Sequence, residues 1–361
     1  MRVRTNMLKP FLKYAVRRGV ALFLTVVVAV YIVILIANLG GYVDEMIKSD
    51  IYLKISDSVR NNPAYKNYSP EQIKKVIDEL ARIEIERMGF DKPFIYRSFI
   101  YLWNGLTLNL GRSYRLVSNS GSSNVRTILL ERIPVTMLLF TTANLILFFV
   151  SLFVGLVLSR HYGSLFDKIV VYLSPLSSIP AWFYGIFLIL IFASLLRILP
   201  YGGLVDIPPP ENSFNYFLSM LVHLILPVGS YLLAYSFIGI YNRRTYFLIF
   251  SNENYVEMAK AKGLPPRVIE RKYILRPTLP AIVTDFALML ISCWMGSIVT
   301  ERVFSWPGLG TLFYQAISLS DAPVIIGEVV IYAYLLAITV FVLDLVYAIL
   351  DPRIRLGKGE R

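Results

Sequence analysis

The sequence predicts an all-α integral membrane protein with six transmembrane helices and a small helical subdomain outside the membrane. Three observations predict it. Of the 361 residues 56% are hydrophobic and the mean hydropathy is +0.59, too apolar for an ordinary soluble domain. Gly19–Val43, Ile133–Ser159, Ile169–Leu196 and Asn212–Asn242 contain no Asp, Glu, Lys or Arg, and about 20 helical residues cross the roughly 30 Å of hydrocarbon in a bilayer. Two more spans are expected near Ala281–Thr300 and Ile325–Leu350, which include the carboxylates Asp285 and Asp344. The third observation is where the charge lies. With the N-terminus inside, segments 1–18, 159–168, 243–277 and 351–361 hold 20 Lys/Arg against 6 Asp/Glu, while the rest of the chain has 16 against 18. The net charge of +12 therefore sits on one face, as the positive-inside rule expects. No nucleic acid is needed to explain it.

The elements follow in order. Residues 1–18 are basic and hold the N-terminus in the cytoplasm. The first span is longer than a signal-peptide core and lacks a small-residue cleavage site before Gly40-Gly41-Tyr42, so it is read as a transmembrane helix. The long outer segment that follows escapes the charge rule because of its length. Within it, Ser69-Pro70-Glu71-Gln72 is an N-cap, a proline at the first helical position and a capping-box partner. Ile73, Val76, Ile77, Leu80, Ile83 and Met88 recur at helical spacing up to Gly89. This predicts an amphipathic helix that either rests on the bilayer or docks a partner. Phe94–Leu110 is rich in aromatic residues suited to the membrane interface, and Asn67-Tyr68-Ser69 is a glycosylation sequon followed by Pro70.

Span three contains Pro175 and Pro180, which remove backbone donors and should bend it. Such a break survives in a membrane where neighbouring protein satisfies the freed carbonyls. Asp344 lies seven residues before Asp351, about 10 Å of helix from the inner end. An interhelix contact and an effect on translocation are both open to it. Cys293 is the sole cysteine, which excludes a disulfide framework and a Cys-based metal site. His161 and His223 share no ligand spacing; the first is expected in a wet loop and the second packed in a helix.

The inner loop 243–277 has 8 basic and 3 acidic residues and no stretch able to re-enter the membrane. Asn254–Lys262 predicts a short helix on which Ala259 and Ala261 let another surface approach closely. Gly263 supplies the left-handed conformation that ends it, and Pro265-Pro266 starts a second short helix, Arg267–Tyr273. The product is a helix–turn–helix knob. A solvated basic loop on anionic headgroups is the plainer alternative.

Glu257, Ala259 and Gly263 followed by Ile274-Leu-Arg-Pro277 resemble the cytoplasmic EAA loop of ABC importer permeases, which docks onto the ATP-hydrolysing subunit. Met295-Gly-Ser-Ile-Val-Thr-Glu301-Arg-Val-Phe-Ser-Trp-Pro-Gly-Leu-Gly310 is similar to the ETVFSWPGLG signature of B-type subunits of dipeptide and oligopeptide ABC permeases. Asp351-Pro-Arg-Ile-Arg-Leu-Gly357 resembles their tail. Tyr14-Ala-Val-Arg-Arg18, Leu110-Gly-Arg-Ser113 and Glu131-Arg-Ile-Pro134 are similar to further motifs in the same order. Met258 stands where the family has the first alanine, and is expected to be tolerated on a packed helix face. Ile51–Arg87 looks like an insertion.

The resemblance implies a type I ABC importer permease fold in the cell membrane, with both termini cytoplasmic. Its divisions are 1–43 (N-terminus and first helix), 44–131 (extracellular subdomain), 132–350 (permease core of five helices) and 351–361 (tail). It further implies a second, C-type permease, two ABC ATPase subunits and an external solute-binding protein as partners, with membrane lipid around them. No G-x-x-x-x-G-K-[ST] sequence is present, so ATP and Mg are expected on the ATPases, with no cofactor on this chain and no enzymatic activity of its own. Glu257, Ala259, Ala261, Gly263 and Leu264 are the expected ATPase-coupling residues. The small residues Ser292, Gly296 and Ser297 are read as one face of span five, lining the path or packing within the subunit. Peptides are the expected solute and oligosaccharides the alternative. An ion-coupled secondary transporter should show repeats with midplane charges, and neither is evident.

Overall fold

The structure, a computed structural model, describes residues 2–38, 42–90 and 92–350; for residues 2–10, 37–38, 42–43, 46, 50, 291–292, 294–295 and 349–350 it describes the backbone alone. The Asp351–Gly357 motif lies outside the described residues. The helices are α1 (Arg2–Asn38), α2 (Tyr42–Asn61), α3 (Pro70–Arg87), α4 (Phe94–Leu106), α5 (Val125–Arg160), α6 (Leu165–Leu173), α7 (Ala181–Leu188), α8 (Ser213–Ser251), α9 (Asn254–Ala261), α10 (Pro266–Ile269), α11 (Arg276–Met295), α12 (Ile298–Val303), α13 (Leu309–Ser318) and α14 (Ala322–Leu350). Among the described residues, five helical stretches are long and apolar enough to cross a membrane, and a sixth span is available if one bent helix pair counts as one. The chain is an all-α multi-pass membrane protein.

Two compact units are present, one formed by residues up to Glu131 with Gln315–Phe341, the other by Arg132–Tyr314 with the residues from Val342. In the first, Val26, Val30 and Ile34 of α1 are buried with Val330 of α14 against Tyr101, Leu102 and Leu106 of α4. Helix α4 lies close on α1 because Gly105 occupies the crossing, where a Cβ would stand 3.0 Å from Val30 Cγ1. The Tyr31 and Phe99 rings stack at 5.7 Å beside it. The capping box of α3 forms as the sequence predicts. The Gln72 amide donates to Ser69 Oγ at 3.3 Å, and the Ser69 amide donates to Gln72 Oε1 at 2.9 Å. The Leu110–Ser113 motif ends in a turn closed by the buried Asp321. That carboxylate accepts from Ser113 Oγ at 2.6 Å and from the amides of Tyr114 and Arg115 at 3.1 and 2.9 Å.

In the second unit the two prolines break span three as expected. The arms Leu165–Ser178 and Ala181–Leu195 meet at 98°. Pro180 caps the second arm, and a tight turn at Ser174–Ser178 precedes it. His223 is packed in α8, with Nδ1 2.8 Å from the Ser219 carbonyl oxygen.

Three boundaries differ from the sequence reading. Helix α8 does not stop at Asn242 but runs on to Ser251. No Gly or Pro lies between Ile240 and Ser251, so nothing breaks it where the hydrocarbon ends. Its 39 residues make a rod about 58 Å long, longer than the roughly 30 Å hydrocarbon core of a bilayer. The second helix of the knob is not separate. It opens as α10, widens into π-type turns at Glu270–Leu275 and continues as α11. The widened turns admit Pro277, whose ring would clash with the carbonyl four residues back in a regular helix. Finally, span five ends at Met295. Gly296 turns the backbone out at φ 58°, and Ser297 caps α12.

Candidate functional site

The knob is built from its own small core. Val256, Ala259 and Ile269 are buried together, with Leu264, Tyr273 and Ile274 packed around them. Glu257 lies in the first turn of α9 and Lys260 in the last, each on the favourable side of the helix dipole. The C-terminus is a Schellman motif. The Leu264 amide donates to the Ala259 carbonyl at 3.3 Å and the Gly263 amide to the Lys260 carbonyl at 2.9 Å, with Gly263 at φ +69°. A Cβ on Gly263 would meet nothing within 4 Å, so glycine is required there by the backbone and not by space.

This core divides the five expected coupling residues. Ala259 and Leu264 face inward and hold the knob together, whereas Glu257, Ala261 and Gly263 are exposed. Met258 is 60% exposed and not on a packed face. The spacing explains why: α9 buries Val256 and Ala259, so residues 257, 258, 260 and 261 point outward. An apolar side chain thus stands among Glu257, Lys260 and Lys262 on the free face.

Two ion pairs fasten the surroundings of the knob. Arg160, at the end of α5, pairs with Glu270 in the widened turns. Arg244 of α8 grips Asp167 of α6 through two nitrogens, Nη2 to Oδ2 at 2.6 Å, with both side chains buried. Asp167 Oδ2 also accepts the Gly163 amide at 2.9 Å. A bidentate Arg–carboxylate pair with a further backbone donor on the carboxylate fixes the angle between two helices as well as their contact. These pairs escaped the sequence reading. The visible signal was a lone Asp in the short 159–168 segment, whose partner is 77 residues away.

At the other end of the same unit the 295–310 motif folds around one carboxylate. Glu301 is fully buried, accepts from Thr136 Oγ1 at 2.8 Å and from the Thr311 amide at 3.0 Å. Burial lifts its carboxyl from the ordinary range to about 7, against the lowering effect of these donors. Trp306 is also fully buried and donates Nε1–H to the Val135 carbonyl at 2.8 Å. Gly308 and Gly310 are small because the chain crosses directly over Glu301. A Cβ on Gly308 would stand 2.6 Å from both carboxylate oxygens, and one on Gly310 2.8 Å from Ile298 Cα.

The expected path residues do not share one helix face, because α11 ends before Gly296. The Ser292 side chain lies outside the described residues. Ser297 uses its hydroxyl to cap α12, accepting the Thr300 amide at 3.3 Å. Gly296 lies against Thr136 and Glu301. Among the described residues no group of His, Cys, Asp and Glu is placed to hold a metal ion.

Residues 148–356 match the family described as "Binding-protein-dependent transport system inner membrane component". The chain is 31% identical over 273 residues to the oligopeptide transport system permease protein AppB of Bacillus subtilis, covering 75% of this chain and 83% of that one. It is 31% identical over 300 residues to the di/tripeptide transport system permease protein DppB of Pseudomonas aeruginosa, covering 78% and 87%. It is 32% identical over 272 residues to the dipeptide transport system permease protein DppB of B. subtilis, covering 74% and 82%.

Proposed function

Because the chain belongs to the family of binding-protein-dependent transport system inner membrane components, we propose that it is one transmembrane half of an ABC importer for di- and oligopeptides. The observation that carries this reading is the exposed face of α9, held on a rigid knob, in a chain whose relatives are named as peptide permeases. A second, C-type permease would complete the path, two ATPase subunits would bind the ATP and Mg, and an external binding protein would deliver the peptide. The chain itself does no hydrolysis. Both termini and the 243–277 loop lie in the cytoplasm, in keeping with the basic excess of those segments. Residues 44–131 form the outer subdomain between the first helix and the five-helix core 132–350, and 351–361 form the inner tail.

Glu257, Ala261 and Gly263 present the docking face, with Met258 as its apolar centre, while Ala259 and Leu264 keep it stiff. When ATP draws the ATPases together, the knob moves with them. Its continuity with α11 and the Arg160–Glu270 pair carry that displacement into the spans. Arg244–Asp167 keeps α6 and α8 moving as one body. The bundle then changes between inward- and outward-open arrangements, and peptide passes along a route to which Ser292, Gly296 and Ser297 contribute.

Reconstitution in vesicles with the second permease, both ATPases and the binding protein tests this. ATP-dependent uptake of a labelled di- or oligopeptide is expected. Uptake of an oligosaccharide instead, or uptake driven by an ion gradient without ATP, would overturn it.

A further inference from the structure

We propose that the first unit holds an acyl chain of a membrane phospholipid in an open cavity lined by α1, α2, α3, α4 and the start of α14. The cavity measures about 780 Å³, within the roughly 300–1,000 Å³ typical of ligand sites. Its walls are mainly aliphatic, with Ile55, Val59, Ile83, Met88, Ile326 and Val330 prominent among them. Aliphatic surface of this extent left facing water is unfavourable by roughly 25 cal/mol per Å², which favours an apolar occupant. Empty, the cavity would cost its lining atoms their dispersion contacts on one side. Water needs two to four polar partners to stay; Lys54, Ser58, Glu84, Asn104 and Asn109 can hold some, but the aliphatic side chains that make up most of the wall hold none.

The location says what fills it. Ile34 lies in the span Phe11–Ile36, and Ile326 and Val330 lie in the span Ala322–Ala348. The cavity therefore begins where two spans leave the hydrocarbon. Helix α4, another of its walls, exposes Tyr96, Phe99 and Trp103 at 52, 58 and 69%, the side chains that settle at a membrane interface. Lys54 and Arg112 outnumber Glu84 among the charged residues of the lining, and the two cations suit the phosphodiester of a lipid whose tail enters the cavity. A peptide is a poor occupant, since its termini and amide groups would lose water for aliphatic walls. This also accounts for Leu80 and Ile83 of α3 and Met88 at its end, which stay 38, 50 and 50% exposed while lining the cavity. The site does not depend on which solute the transporter carries.

The test uses the full chain in its complex, placed in vesicles of phosphatidylethanolamine and phosphatidylglycerol with a trace of phosphatidylglycerol bearing a photoactivatable acyl chain. Illumination should label Ile51–Val59 or Leu80–Met88. Combining Ile55→Trp with Ile83→Trp fills the cavity and should cut that labelling at least about tenfold, with labelling of the outer face of α1 unchanged. Leu53→Trp, at a site 62% exposed and outside the walls, should leave it intact. Should the double variant fold poorly, Arg112→Gln adds no bulk at an exposed position and should still weaken labelling. Full labelling in both the double variant and Arg112→Gln overturns the proposal. So does labelling of these segments by a photoactivatable hydrophobic tripeptide and not by the lipid.

Discussion

Ala259 and Ala261 are two residues apart on α9, yet the fold gives them opposite environments, and this separates a packing role from a docking role. Ala259 is 2% exposed in the Val256–Ile269 cluster, while Ala261 is exposed. Ala259→Leu forces three extra carbons into a filled core, costing about 1–3 kcal/mol. That is a large share of what so small a core can supply. Ala261→Arg puts its side chain into water in the isolated permease and should change stability by no more than about 0.5 kcal/mol. In the assembled importer the same arginine meets the ATPase surface. A single misplaced large charge there costs at least about 1.4 kcal/mol, a tenfold loss of affinity. The assay measures three quantities for each variant: membrane insertion, melting temperature of the purified permease, and ATPase retained on affinity purification. Ala261→Arg should insert and melt normally but retain about a tenth of the ATPase. Ala259→Leu should lower the melting temperature and lose ATPase as a consequence. Normal ATPase retention and transport by Ala261→Arg would refute the docking role of this face and leave the loop as a basic, lipid-facing segment.

At Gly263, φ of +69° costs an ordinary L-residue about 1–2 kcal/mol, and more for a β-branched one. Gly263→Val should therefore abolish coupled transport with insertion intact, and Gly263→Asn should largely restore it in the same uptake assay. Removing one member of the buried Arg244–Asp167 pair leaves the other charge uncompensated, at about 3–5 kcal/mol. Asp167→Leu should drop the melting temperature sharply, and Asp167→Leu with Arg244→Leu should recover part of the loss. Burial raises the Glu301 carboxyl from 4.5 to about 7, so the folded protein binds this proton more tightly than the unfolded chain does. Its contribution is therefore complete below about pH 4.5 and is lost as pH rises through about 7, amounting to at most about 3 kcal/mol. The melting temperature should fall over that window in the native permease. Glu301→Gln should flatten the dependence at a cost of about 1 kcal/mol, because its amide oxygen can still accept the Thr311 amide while its amide nitrogen donates to Thr136 Oγ1, whose hydroxyl hydrogen must then turn away. An unchanged slope in Glu301→Gln would assign the effect to another group.

By itself the sequence determined the membrane class, the capping box of α3, the broken third span, the stop at Gly263 and the motif order that marks the family. These are local matters. A run of apolar residues, a Ser-Pro-Glu-Gln cap, two prolines or one left-handed glycine act within a few residues of themselves, and their consequences can be read along the chain. What only the tertiary structure decided are the relations between distant residues. The sequence reading gave Ala259 and Ala261 one role, because helical spacing alone does not tell which face Ile269 and Tyr273 will cover. It read Ser292–Ser297 as a continuous face, because a glycine inside an apolar stretch shows its backbone turn only when Thr136 and Glu301 crowd beside it. It missed Asp167 with Arg244 and Thr136 with Glu301, since a charge or hydroxyl in a helix shows no sign of the partner that makes its burial tolerable. It stopped α8 at Asn242 on the first arginines, yet Arg244 stays helical and buried because a carboxylate from α6 meets it there. Burial is a property of what comes together in three dimensions, and in this protein burial assigned each of these roles.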